Sequence, residues 1–314
     1  MNSVPKILVN IPVTDAILTS SSVAEPATGE TVWVSGGTYA VGDVRILTST
    51  HRQYKCVLAH SGVTALPSAA SEATRWLDVG PTQRWAPFDN LTNTKTSTVT
   101  SASWTMLFPD FINSVSLYGL TGTTVRVVVK TGAGGATVYD TTKTLVYPGL
   151  GFWEYYHSPA SVLDKVLFSD IPLTLFPEVT ITVSSSVAGQ PVGLGMAVIG
   201  DLRPMIDDTS WGGTQYGAQA KPTTYSYIKR DDYGNVTIVK RSSATDMKIT
   251  VDMPHSQSDR ALRAIQDILD VPAAIIGTDY DGYQGLNVFG LASATLTYSS
   301  YDLDVITIDV QGFV

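Results

Sequence analysis

His51, Cys56 and His60 place two imidazoles and a thiol within ten residues, and these donor types can hold a transition metal. Zinc wants about four ligands in tetrahedral array. On an extended strand His51 and Cys56, five positions apart, face opposite sides, so no metal site is expected. The four histidines, His51, His60, His157 and His255, lie in separate stretches. A nucleophilic triad needs a Ser or Cys, a base and an orienting acid in contact, and no G-x-S-x-G elbow occurs. Asp207-Asp208, Asp231-Asp232 and Asp279-x-Asp281-Gly282 suit calcium or a carboxylate pair in type, but none has full EF-hand spacing. Asp and Gly are also what tight turns require. The expectation is no catalytic residue, no metal and no cofactor.

Aromatic residues are the second chemical resource. The chain has 15 Tyr and 6 Trp against 8 Phe, and such amphipathic rings suit wet interfaces and sugar stacking. Trp33, Tyr39, Tyr54 and Trp76 are the candidate carbohydrate-binding residues. The competing reading makes Tyr39, Tyr54 and Trp76 the core of a small module that needs its rings for stability. Trp85 and Phe88, beside Arg84, are expected to fix a junction by ring packing and an Arg–aromatic contact.

The elements that must position these residues read as strands. The chain has 314 residues, enough for two or three domains. Charged residues make up only 15%, and Thr, Ser, Gly, Val and Tyr replace them, a mix that suits short strands and tight turns. A net charge of −8 disfavours nucleic acid as a partner. No apolar run is long enough for a spanning helix, and the opening residues lack the parts of a signal peptide. With one cysteine, Cys56, folding in a reducing host cytoplasm is expected.

Three zones follow. Residues 1–90 hold a polar opening, with Thr19–Glu30 lacking periodicity, and then strand-like pieces at 31–34, 44–47 and 53–58. Residues 91–200 carry strands at 97–107, 115–118, 124–129, 137–139, 179–183 and 194–199, the spacing of a sandwich or jelly roll. Residues 201–314 open with a linker or long loop over 206–221. A hairpin at 224–230 and 235–241 then turns at Asp231–Gly234. A strand at 247–253 precedes a helix over 258–270, with Ser256 and Asp259 as its cap and Ala261, Leu262, Ile265, Ile268 and Leu269 as its apolar face. Strands at 273–276, 286–291, 295–298 and 305–310 close the chain.

Two motifs carry resemblances. The order Trp33, Tyr39, Gly42-Asp43-Val44, Tyr54, Pro67, Trp76 resembles the chitin-binding-like modules of carbohydrate-binding families 5 and 12, whose exposed rings stack on sugars. The run Trp76-Leu77-Asp78-Val79-Gly80-Pro81-Thr82-Gln83-Arg84-Trp85-Ala86-Pro87-Phe88-Asp89 resembles a W-x-D-x-G-x-T-N-R-W-x-x-F-D segment of phage structural proteins, with Gln83 for the usual Asn. The third zone is similar, more loosely, to tail-tube-like domains of distal tail proteins.

The combined expectation is a mainly β chain: a chitin-binding-like module, a central sandwich or jelly roll, and a tail-tube-like β domain with one helix. Its expected role is a non-enzymatic component of a phage tail tip or baseplate, located in the virion tail. Partners would be copies of itself in a ring, other tail proteins, and either host-surface polysaccharide or a neighbouring virion protein. The rivals are a tail-associated polysaccharide-degrading enzyme and a stand-alone polysaccharide-binding protein.

Overall fold

The computed structural model describes residues 3–146, 153, 157, 162–207, 211–280 and 282–313. The chain is mainly β, built from antiparallel sheets. In the central region strict alternation makes a sandwich. Ala102, Trp104 and Met106 of strand Ser101–Leu107 point inward, as do Val125, Val127 and Val129 of Thr124–Lys130. Val179, Ile181 and Val183 of Glu178–Ser184 continue that face, completing most of a five-stranded sheet. A three-stranded sheet of Lys165–Phe168, Ser114–Tyr118 and Met196–Gly200 closes the other side.

That smaller sheet is buried on both faces. Every residue of Ser114–Tyr118 and of Met196–Gly200 is buried. Val115, Leu117, Ala197 and Ile199 face the sandwich core. Tyr118, Met196 and Val198 face outward onto Leu8, Ala274, Ile276 and Phe289 of an eight-stranded sheet. Tyr118 donates to Asn287 Oδ1 at 2.6 Å across this interface, and burial pushes its phenol well above the usual range. Gly200 is required here. A Cβ would lie 2.2 Å from the Val9 carbonyl oxygen, so only glycine lets the two sheets meet.

The eight-stranded sheet runs Leu202–Pro204, Lys6–Val9, Ala273–Ile276, Asn287–Tyr298, Leu303–Gly312, Ser243–Pro254, Gly213–Thr214, with Gln219–Thr224 also pairing Ser243–Pro254. Its second face carries Ile7, Ile249, Ile275 and Ile306 against Ala261, Ile265 and Ile268 of the helical segment.

Several expectations change. Residues 1–90 are not one segment: Lys6–Val9 lies inside the C-terminal sheet, and Leu18–Ser21 pairs with Ser101–Leu107. Neither strand shows in local pattern because each is completed by a distant partner. The 206–221 stretch, read as a loop, supplies Gly213–Thr214 and the start of Gln219–Thr224. The strands read at 286–291 and 295–298 are one, Asn287–Tyr298. The helix is Ser258–Gln266, shorter than 258–270, and no side chain caps it. Ser256 does not act as the cap because a 3-10 turn, His255–Gln257, leads directly into the helix. Asp208 and Asp281 lie outside the described residues.

Candidate functional site: a module joint, a groove and an exposed arm

The small module is a sheet of Val44–Leu47, Arg52–Cys56 and Trp76–Pro81 beside the short pair Thr38–Tyr39 and His60–Ser61. Tyr39, Tyr54 and Trp76 are 5%, 6% and 3% exposed and form its core with Leu47 and Cys56. Tyr39 meets Trp76 edge-on at 5.0 Å between centroids. Trp33 is half-buried against the same cluster. The expected sugar platform of Trp33, Tyr39, Tyr54 and Trp76 is therefore corrected: three of the rings have no face to offer, because the module has little else to build a core from. Its outer surface is aliphatic instead. Val44 and Leu77 flank Lys55 across adjacent strands, and Val57, Leu58 and Val79 are also exposed.

His51, Cys56 and His60 do not converge. Cys56 Sγ lies 3.8 Å from His60 Nδ1 inside the module, and burial pushes its thiol up. His51 is not on that strand but in the turn before Arg52–Cys56, with φ at 55°, and it points the other way. Its Nδ1 lies 2.9 Å from Glu25 and its Nε2 lies 2.8 Å from Asp15. Among the described residues no group of three metal-ligating side chains occurs.

His51 belongs to a joint built by the Trp76–Asp89 motif. The imidazole stacks on Trp85 at 4.4 Å. Glu25, nearly buried, also accepts from Thr82 Oγ1 at 2.8 Å and from Trp85 Nε1 at 3.2 Å. Glu30 accepts from the Gln83 amide at 2.7 Å, and Gln83 Oε1 accepts from the Ser97 amide at 2.8 Å. Trp104 Nε1 donates to the Arg84 carbonyl at 3.1 Å. Trp85 and Phe88 pack on the sandwich core, as the junction reading requires. Trp85 meets Phe88 edge-on at 6.1 Å and stacks on His51, and the expected Arg84–aromatic contact is not among its ring contacts in the described residues. Asp89 ends the run by accepting from Thr94 Oγ1 and the Leu91 amide, and burial raises its carboxyl above the ordinary range. Sequence reading missed Asp15, Glu25 and Glu30; the two glutamates sit in the stretch with no periodicity and Asp15 just before it.

Ser258, His255 and Asp304 offer triad residue types but not triad geometry. Ser258 Oγ (2.5 Å) and His255 Nδ1 (2.8 Å) both bond Oδ2 of buried Asp304. The hydroxyl is held by the acid, where activation requires it on the base.

Two surface features remain. A groove of about 1070 Å³ lies between the helix and the edge of the eight-stranded sheet. Ile7, Val9, Ile11, Phe111, Ala264 and Ile268 give it an apolar floor. Asp110, Asp259 and Asp267 line it with Arg260 and Arg263, and none of these five forms an ion pair among the described residues. Past the Thr224/Ser243 end of the paired strands Gln219–Thr224 and Ser243–Pro254 stands a two-stranded arm, Tyr227–Arg230 with Val236–Val239. Its turn is held by Asp231, which accepts from the amides of Tyr233 and Asn235 and from Asn235 Nδ2. The Asn235 side chain keeps that carboxyl below its usual range. Ile228 and Ile238, directly paired, are 61% and 60% exposed, and Val236 extends their face.

Comparison with known protein families, with curated proteins and with solved structures finds no match to this chain.

Proposed function

We propose that this chain is a structural, non-enzymatic component of a phage tail tip or baseplate, assembling head to tail into a ring through its arm. The observation that carries the reading is the apolar stripe Ile228, Ile238 and Val236 on a hairpin with solvent on both sides. An isolated two-stranded hairpin is marginal in water, and exposed paired isoleucines gain stability only when another surface covers them. The resemblance of Trp76–Asp89 to a segment of phage structural proteins supports the virion setting, and its residues here act as a mechanical joint. The small module's aliphatic surface suits a neighbouring virion protein better than a sugar, since stacking needs open rings.

The test is the mass of the purified full chain across a concentration series, by native mass spectrometry or sedimentation. The expected result is a concentration-dependent oligomer that Ile228→Asp with Ile238→Asp reduces to monomer. A wild-type chain that stays monomeric throughout removes the reading.

Contact with host-surface polysaccharide has separate support. Tyr216 and Tyr283, both exposed, line a cleft of about 300 Å³ whose lining includes Gly217, Ala218 and Gly285. Retention on immobilised host polysaccharide, lost on Tyr216→Ala and Tyr283→Ala, is its test.

A further inference from the structure

The arm and the large groove lie at opposite ends of strand Ser243–Pro254. Thr224 pairs with Ser243 at the end that leads into the arm, and Ser256, Asp259 and Arg263, which line the groove, follow Pro254 at the other end. The 12 residues of this strand span roughly 36 Å at about 3.3 Å per step. A projection at one end and a recess at the other can build head-to-tail contacts, which close into rings when the rotation permits.

The two surfaces also match in chemistry. The arm offers a narrow aliphatic stripe, and the groove floor is aliphatic with one half-exposed ring, Phe111. Lys229, Arg230, Lys240 and Arg241 flank the stripe against Asp231 and Asp232, so the arm carries +2 on a chain of net charge −8. Asp110, Asp259 and Asp267 in the groove form no ion pair among the described residues and can meet the arm's cations, while Arg260 and Arg263 beside them can meet the acidic turn. The outer edge of Leu202–Pro204 does not invite simple strand addition. Asn113 plugs it by bonding both the amide and the carbonyl of Leu202, and Pro204 ends it. The groove beside it is where an incoming hairpin can bury side chains.

We infer that the arm of one copy seats Ile228, Ile238 and Val236 in the groove between the helix and strand Lys6–Val9 of the next copy. This rests on the assembly reading above and names the acceptor surface for it. Each subunit then gives its arm to one neighbour and receives an arm from the other.

The experiment uses the full chain. Ile238→Cys and Phe111→Cys proteins are prepared separately, mixed, and oxidised, with Val187→Cys on an exposed sandwich loop as the control partner for Ile238→Cys. Native Cys56 is fully buried and common to all samples. The expected result is a disulfide dimer that forms on mixing the arm and groove variants and not with the control. In parallel, Phe111→Asp raises the apparent dissociation constant of assembly by about tenfold or more, as expected for charging an apolar contact. Near-UV circular dichroism checks that the variant remains folded. If arm variants abolish assembly while Phe111→Asp leaves it unchanged and the cross-link does not exceed the control, the groove is not the acceptor, and the assembly reading stands. If the arm variants leave assembly intact, both fall together.

Discussion

At the scale of single residues, buried groups dominate what substitutions will do. Trp76→Ala removes the largest ring of a small core and is expected to cost about 3–5 kcal/mol. Because the module has few other buried rings, the loss should appear as selective protease sensitivity within residues 31–88, with the sandwich intact. Equal resistance to wild type would return Trp76 to the surface. Glu25→Gln puts an amide where Thr82, Trp85 and His51 converge on a carboxylate. It should lower the denaturant midpoint by the equivalent of about 1–3 kcal/mol. Asp304 ties pH to stability. The Ser258 hydroxyl and then the His255 ring hold its carboxyl below the usual range, with burial working against them. A depressed folded-state value means the stabilisation is complete above about pH 4, the unfolded value, and is lost as pH falls through the folded one. Thermal midpoints should therefore drop on acidification below about pH 4, and Asp304→Asn should flatten that dependence. An unchanged slope in Asp304→Asn would assign the acid sensitivity to other carboxylates, such as Glu178 beside Lys130.

At the scale of elements, the arm and the joint behave oppositely. The joint is over-determined, since Glu25, Glu30, Gln83 and Trp85 each tie different segments together. The arm is held by Asp231 at its turn, by strand pairing, and by the Arg241 guanidinium over the Tyr227 ring at 5.0 Å. At concentrations where the wild type is monomeric, replacing Ile228 and Ile238 by Asp should leave the thermal midpoint nearly unchanged, because both are exposed in the monomer. Scanning calorimetry on the variant checks this. A large drop would mean that the arm packs on its own chain.

At the scale of the whole molecule, three sheets stack into one body. The middle sheet, buried on both faces, makes the sandwich and the C-terminal sheet mutually dependent. Lys6–Val9 strengthens this, because it sits between Leu202–Pro204 and Ala273–Ile276. Deleting residues 1–10 should unfold or aggregate the 201–314 region. It removes Leu8 and Ile7 from two cores and leaves the flanking strands unpaired. Hydrogen exchange over 273–276 reports the outcome, and unchanged protection there would show that this strand is dispensable.

Much of the central sandwich is legible in the chain itself. Residues 101–106 and Glu178–Ser184 alternate apolar and polar residues at period two, and that alternation reports a half-buried strand wherever it sits. The helix is legible for the same reason at its own period, although its cap is not. The 224–241 hairpin is also visible, from the 231–234 turn between its two runs. What local pattern cannot carry is which surface a residue finally meets. Tyr39, Tyr54 and Trp76 have the same chemistry as core or as platform, and only the small module's need for buried area sends them inward. Glu25 and His51 are twenty-six positions apart, and Lys6–Val9 pairs with strands near 203 and 275. Such contacts exist only once the chain has closed on itself, so the joint and the mutual burial of the sheets belong to the tertiary structure alone.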